Sequence, residues 1–111
     1  IFSLKVVKHL KSNSIVLAHN KQTVGIGAGQ TNRINALKMA LKNKNQVFNK
    51  KNFVCSSDGF FPFTDGIKLL KKNSCICLSQ PFGSINDEKI INYCNTNNLP
   101  LYKAKYRLFK H

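Results

Sequence analysis

The stretch Thr23-Val24-Gly25-Ile26-Gly27-Ala28-Gly29-Gln30-Thr31-Asn32-Arg33 (TVGIGAGQTNR) decides the fold class. Its first part, 23–26, reads as the return strand of a hairpin. It follows a turn at Asn20-Lys21-Gln22 and a β-branched run over 14–18. Gly25, Gly27 and Gly29 close that strand. From Asn32 to about Lys44 the apolar period changes from two to about 3.6, with Ile34, Leu37, Ala40 and Leu41 on one helical face. A strand that passes through glycines directly into an amphipathic helix is the joint of an α/β fold.

The same alternation continues outward. Residues 4–10 alternate apolar and basic side chains and read as a strand, as do 53–56. A helix is expected over 64–72, carrying Ile67 and Leu70 inward and lysines outward. Residues 75–78 form a strand of the buried type. Ser84 or Asn86 caps the next helix, with Asp87 and Glu88 in its first turn against the helix dipole. That helix runs to about Asn95 on a face of Ile90, Ile91 and Cys94, and residues 99–102 and 106–109 are extended. The order implies an α/β/α sandwich, with helices packed on a mixed sheet. At 111 residues the chain is one domain at most. It begins at Ile1, as an excerpt of a longer polypeptide would, and has no signal peptide and no apolar run near the ~18 residues of a membrane span.

The net charge of +14 raises a nucleic-acid reading. All but Arg33 and Arg107 of the 18 basic residues are lysines, dispersed from Lys5 to Lys110. Base-edge readers and bidentate phosphate readers favour Arg. Lys, Asn and Ile enriched together have the look of coding drift in an AT-rich genome, while small phosphorylated or polyglutamylated substrates would also suit the positive field. Cys75-Ile76-Cys77 puts two thiols on one face of a strand. The chain has no C-x-x-C and no His at zinc spacing from a Cys, so its four cysteines read as small buried hydrophobes in a reducing cytosol.

Three loops, 25–33, 58–66 and 80–85, lie at strand-to-helix joints, where open α/β sheets bind ligands. In GIGAGQ, 25–30, the glycines fit either a tight turn or a cradle for a ligand; the spacing is neither G-x-G-x-x-G nor a Walker loop. Arg33 stands out in a lysine-dominated chain. Asn13 can form a turn or, with both donors and an acceptor, recognise a carboxamide or an amino group. His111 reads as a solvated terminal residue. The segment SSDGFFPFTDG, 56–66, holds three of the chain's eight phenylalanines and two of its four acidic residues. Core cluster and wall for a planar heterocycle both fit it, with Asp58 or Asp65 able to accept from ring N–H groups.

Taken in order, VVKHLKSNSIVLAHN, TVGIGAGQTNR, SSDGFFPFTDG, QPFGSINDE and RLFKH resemble the bifunctional purine-biosynthesis enzymes, AICAR transformylase with IMP cyclohydrolase. The resemblance covers essentially the whole chain. It implies that residues 1–111 are the C-terminal segment of the transformylase domain, with no cyclohydrolase domain in this chain. It also implies a cytidine-deaminase-like fold. The activity implied is formyl transfer from 10-formyltetrahydrofolate, the co-substrate, to the amino group of AICAR, giving FAICAR on the route to IMP. Carried residue by residue, Asn13, Arg33, Phe60 and Arg107 look like AICAR contacts. Ile34, Asp65, Ser84 and Ile85 look like the folate side, and Phe63 completes the wall beside Phe60. The catalytic Lys-His pair of the family belongs to an earlier part of the domain. Lys8-His9 resembles it only as a dipeptide and is assigned no catalysis, and no metal is expected. The family pattern further implies a cytoplasmic homodimer with a shared active site, and an isolated piece without turnover. The reading from another class is a stand-alone basic module that binds nucleotides or RNA.

Overall fold

The computed structural model describes residues 13–47, 52–59, 61, 64–81 and 87–104. Within them the order is β1 (Ile15–His19), β2 (Gln22–Gly27), α1 (Arg33–Val47), β3 (Phe53–Ser57), α2 (Asp65–Lys72), β4 (Cys75–Pro81), α3 (Asp87–Thr96) and β5 (Leu101–Ala104). The expected strands over 4–10 and 106–109 lie outside the described residues. The strands form one five-stranded mixed sheet in the order β2-β1-β3-β4-β5. β1 runs antiparallel to both β2 and β3, and β3, β4 and β5 are parallel.

Local chemistry explains these elements. Asn20 and Lys21 both adopt positive φ, 50° and 61°. Two such residues make the tight turn whose twist matches a right-handed hairpin, which leaves Gln22 free to pair with His19. Asn32 caps α1 with its side-chain oxygen, which accepts the Asn35 N–H at 2.9 Å. α2 and α3 stop at residues that tolerate the left-handed region: Ser74 follows α2 at φ 69°, and Asn98 follows α3 at φ 55°. Parallel strands need crossovers, and α2 and α3 supply them between β3, β4 and β5.

All three helices feed one buried cluster. Ala36, Leu37, Ala40 and Leu41 come from α1, Ile67 and Leu70 from α2, and Ile90 and Cys94 from α3. They meet Ile15 and Leu17 of β1, Phe53 and Cys55 of β3, and Leu78 of β4. Val16 and Ala18 alternate to the other face of β1 and are buried as well. Ile34 differs from its expected place: it only flanks the cluster, and Ala36 is buried instead. β4 reaches three residues beyond the expected 75–78, because Ser79 and Gln80 keep pairing with Tyr102 and Lys103 although their side chains are polar.

The glycines of 25–30 resolve by position. A Cβ on Gly25 would collide with the Ala40 carbonyl oxygen, and one on Gly27 with that of Ala36. These two glycines let β2 lie directly against α1. Gly29 is different, with φ +66° and open space where a Cβ would stand, so it serves the turn. Gly66 is closed by Phe61, whose ring fills the space a side chain would need.

Two outcomes follow from this packing. Gly27→Ala is expected to cost about 3 kcal/mol, since neither backbone can yield, whereas Gly29→Ala costs about 1 kcal/mol of left-handed strain. Denaturant melts of the two variants check the order, and equal losses would contradict it. Burial raises the Cys55 thiol well above its ordinary value, with Cys75 and Cys77 adding to the effect. Burial likewise pushes Cys75 up to about 12 from the ordinary 9.0. Iodoacetamide at about pH 8 should therefore reach half-buried Cys77 first and Cys55 and Cys75 only on unfolding. The unfolded Cys75 thiol loses its proton near 9.0 and the folded one near 12, so this group contributes a loss of stability as pH rises between those values.

Candidate functional site

Since β1 opposes its two neighbours, its amino end shares one sheet edge with the carboxyl ends of β2, β3, β4 and β5. Asn13 and Ser14 lead into β1 there, residues 28–32 leave β2, and Asp58 leaves β3. Backbone pairing knits these segments together. Asn13 and Gln30 exchange N–H···O bonds of 3.2 and 3.4 Å, and the Asp58 N–H donates to the Ser14 carbonyl at 3.2 Å.

Side chains tighten the same seam. The Asp58 carboxylate is fully buried, and its Oδ1 accepts the Ser14 N–H at 3.1 Å. The same oxygen forms an ion pair with Nη1 of Arg33, the first residue of α1. The Arg33 side chain is only 9% exposed, so this is a buried ion pair rather than a surface one. Burial lowers the Arg33 pKa from its ordinary value, and the charge and hydrogen bond of Asp58 oppose that shift. The guanidinium stays cationic at any working pH. Asn13 gives one of its two side-chain N–H groups to the Gln30 carbonyl at 3.1 Å, and Gln30 turns its own amide onto the Ala28 carbonyl at 3.1 Å.

Several buried polar atoms at this edge have no hydrogen-bond partner among the described residues: Ser14 Oγ, Asp58 Oδ2 and Gln80 Nε2, with Ser79 Oγ one residue further down β4. An orphaned buried polar atom costs about 1–3 kcal/mol. These atoms gather at one edge of the sheet. Gln80 is otherwise engaged, its Oε1 accepting the Phe61 N–H at 3.0 Å. Phe61 itself is 2% exposed and belongs to the core.

A second feature lies one residue along α1. Ile34 lines a groove of about 320 Å³ between α1 and α2, with Lys38, Asp65, Lys68, Leu69 and Lys72. Its floor is apolar and its rim carries three ammonium groups and one carboxylate. Asp65 is exposed at the start of α2, where the helix dipole favours a negative charge.

The expected site residues thus fall into two groups. Asn13 and Arg33 meet in the seam, whereas Ile34 and Asp65 meet in the groove. Phe60, Arg107, Ser84 and Ile85 lie outside the described residues, as do Phe63, Lys8, His9 and His111. Asp58 does more than its expected role as an acceptor for ligand N–H groups: its Oδ1 is committed to Arg33 and Ser14, while its Oδ2 has no partner among the described residues. The signal in the sequence was the coincidence of a scarce acid at a strand end with a scarce arginine at a helix start. Among the described residues no group of His, Cys, Asp or Glu is arranged to hold a metal, and no helix is long and apolar enough to cross a membrane.

The family model described as AICARFT/IMPCHase bienzyme matches residues 1–43. The chain is 50% identical to the bifunctional purine biosynthesis protein PurH of Fusobacterium nucleatum, over all of this chain and 22% of that protein. It is 49% identical to the PurH of Buchnera aphidicola subsp. Baizongia pistaciae, over 99% of this chain and 21% of the other. For Aquifex aeolicus PurH the identity is 43%, covering 100% and 22%. Among solved structures, a diaminohydroxyphosphoribosylaminopyrimidine deaminase/5-amino-6-(5-phosphoribosylamino)uracil reductase from Thermotoga maritima superposes with a TM-score of 0.56. It covers 92% of this chain and 33% of that one at 9% identity, a likeness of fold alone. The chain is therefore a relative, along its whole length, of the bifunctional purine biosynthesis proteins, and spans about a fifth of the length of those it matches.

Proposed function

We propose that this chain is the C-terminal segment of an AICAR transformylase domain, holding parts of both substrates while the group that moves protons comes from elsewhere in the enzyme. In the reaction the amino nitrogen of AICAR attacks the formyl carbon of 10-formyltetrahydrofolate. The formyl C–N bond to the folate N10 breaks, the amine loses a proton and N10 gains one, leaving FAICAR and tetrahydrofolate. What carries this reading is the divergence of two consecutive residues. Arg33 turns into the polar seam with Asn13, and Ile34 turns into the groove with Asp65. On this reading one helix start would separate a site for a small polar nucleotide from a site for a larger, flatter co-substrate and keep the two adjacent. Proximity of that kind is a large part of what a two-substrate transfer needs.

The chemistry of each side suits its ligand. Arg33 as donor and the Asn13 side-chain oxygen as acceptor suit a carboxamide, and Arg107 and Phe60 would complete the set with a phosphate contact and a stacking face. Ile34 and Leu69 give the groove an apolar surface for a pterin or aminobenzoyl ring. Asp65 can accept from the N–H groups of the pterin, and the family resemblance puts Ser84 and Ile85 on the same folate side. Lys38, Lys68 and Lys72 supply cations where the γ-glutamyl carboxylates of a folate would emerge. The remainder of the domain would complete a cytidine-deaminase-like α/β/α sandwich and bring the Lys-His pair, in a cytoplasmic homodimer whose partners share the active site.

In the full-length enzyme, Arg33→Ala is expected to weaken AICAR binding at least tenfold, the scale of a lost charge-assisted hydrogen bond. Lys42→Ala, on the exposed face of the same helix, should change it less than twofold. Equal effects would defeat the assignment, as would salt-sensitive RNA binding by a protein that ignores AICAR. For the groove, replacing Lys38, Lys68 and Lys72 together by Gln should raise the KM for a polyglutamyl co-substrate about tenfold. That corresponds to a few tenths to one kcal/mol for each lost surface pair. The monoglutamyl form should lose less, and an identical loss for both would place the tail elsewhere.

A further inference from the structure

We infer that Asp58 is the positioning residue for Arg33, and that the two together present a neutral, aimed set of N–H donors rather than a free positive charge. This rests on the reading of Arg33 as an AICAR contact. An arginine at the first position of a helix would ordinarily swing through many rotamers, and each would have to be given up on binding. Here Nη1 is held by a carboxylate that cannot itself move. Asp58 is fully buried, its backbone N–H is tied to the Ser14 carbonyl, and its Oδ1 takes the Ser14 N–H. The guanidinium is thereby referenced to the sheet rather than to its own helix. Its other N–H groups keep the fixed fork geometry of a planar cation.

The pairing also decides what kind of group Arg33 can recognise. With Asp58 beside it the pair carries no net charge, so a phosphate gains little long-range attraction there. A neutral acceptor, such as the carbonyl oxygen of a carboxamide, loses nothing by that neutrality and meets donors already pointed at it. The seam also contains Asn13, whose side-chain amide gives one N–H to the Gln30 carbonyl and whose oxygen can accept from an amide N–H. Arg33 and Asn13 thus supply the donor and acceptor that a primary carboxamide needs, and Asp58 fixes the donor.

The test is a double-mutant cycle in the full-length enzyme, with Asp58→Asn, Arg33→Ala and the pair, reading the KM for each substrate and kcat separately. Asp58→Asn should raise the KM for AICAR about tenfold and leave the KM for the folate within twofold. In the Arg33→Ala background it should add less than twofold, because its effect passes through Arg33. A merely structural role would instead disturb both substrates, in both backgrounds. Full additivity, or an unchanged AICAR KM in Asp58→Asn, would overturn the role of Asp58 while leaving Arg33 as a contact. An unchanged AICAR KM in Arg33→Ala would overturn the substrate reading itself. Should Asp58→Asn fail to fold, Arg33→Lys carries the test. A lysine keeps the charge beside Asp58 but loses the aimed fork, so an AICAR KM about tenfold higher is expected, and one near wild type would overturn the inference.

Discussion

The polar edge of this molecule depends on one buried carboxylate. Asp58 sits at the end of β3, where its backbone continues the pairing with the segment before β1. Its side chain reaches the start of α1. Three stretches far apart in sequence, around Ser14, Arg33 and Asp58, are thus drawn to one point. Breaking such a pair by removing one partner leaves a charge stranded out of water, at a cost of about 3–5 kcal/mol. Removing both is far cheaper, so the pair is weak as a reason for stability and strong as a device for orientation.

The scaffold itself is apolar and close-packed. β2 lies against α1 because Gly25 and Gly27 leave no side chain between them. Phe61 packs in the same close way against Gly66 in the first turn of α2. Packing therefore sets the spacing between seam and groove, and the polar residues decide what each can hold. Positive charge works at longer range: Lys38, Lys68 and Lys72 rim the groove, whereas the Arg33–Asp58 pair leaves the seam neutral.

Much of this was legible in the residues. The period change after Gly29 marked α1, and the turn at Asn20-Lys21 marked the hairpin. Ile67 with Leu70, and Ile90 with Cys94, marked the inward faces of α2 and α3. What was not legible has physical causes. β4 was read as ending at Leu78 because the apolar run ends there, yet Ser79 and Gln80 stay in the sheet with buried polar side chains. Gly25 and Gly27 left both turn and cradle open, since a glycine that makes room for a helix looks no different in sequence from one that makes room for a ligand. Asp58 could be seen as an acceptor but not as the partner of Arg33. That contact spans 25 positions and exists only once β1 and β3 are paired. The division of Arg33 from Ile34 is likewise a property of the helix start and its two neighbours, and no local pattern encodes it.

A crystal structure of the full-length enzyme with AICAR and a folate analogue bound together tests the central claim most directly. The account predicts AICAR within hydrogen-bond distance of Arg33 and Asn13, with Arg33 still paired to Asp58. It predicts the folate analogue across the helix start, between Ile34 and Asp65. Both ligands on one side of α1, or AICAR bound without contact to Arg33, would contradict it.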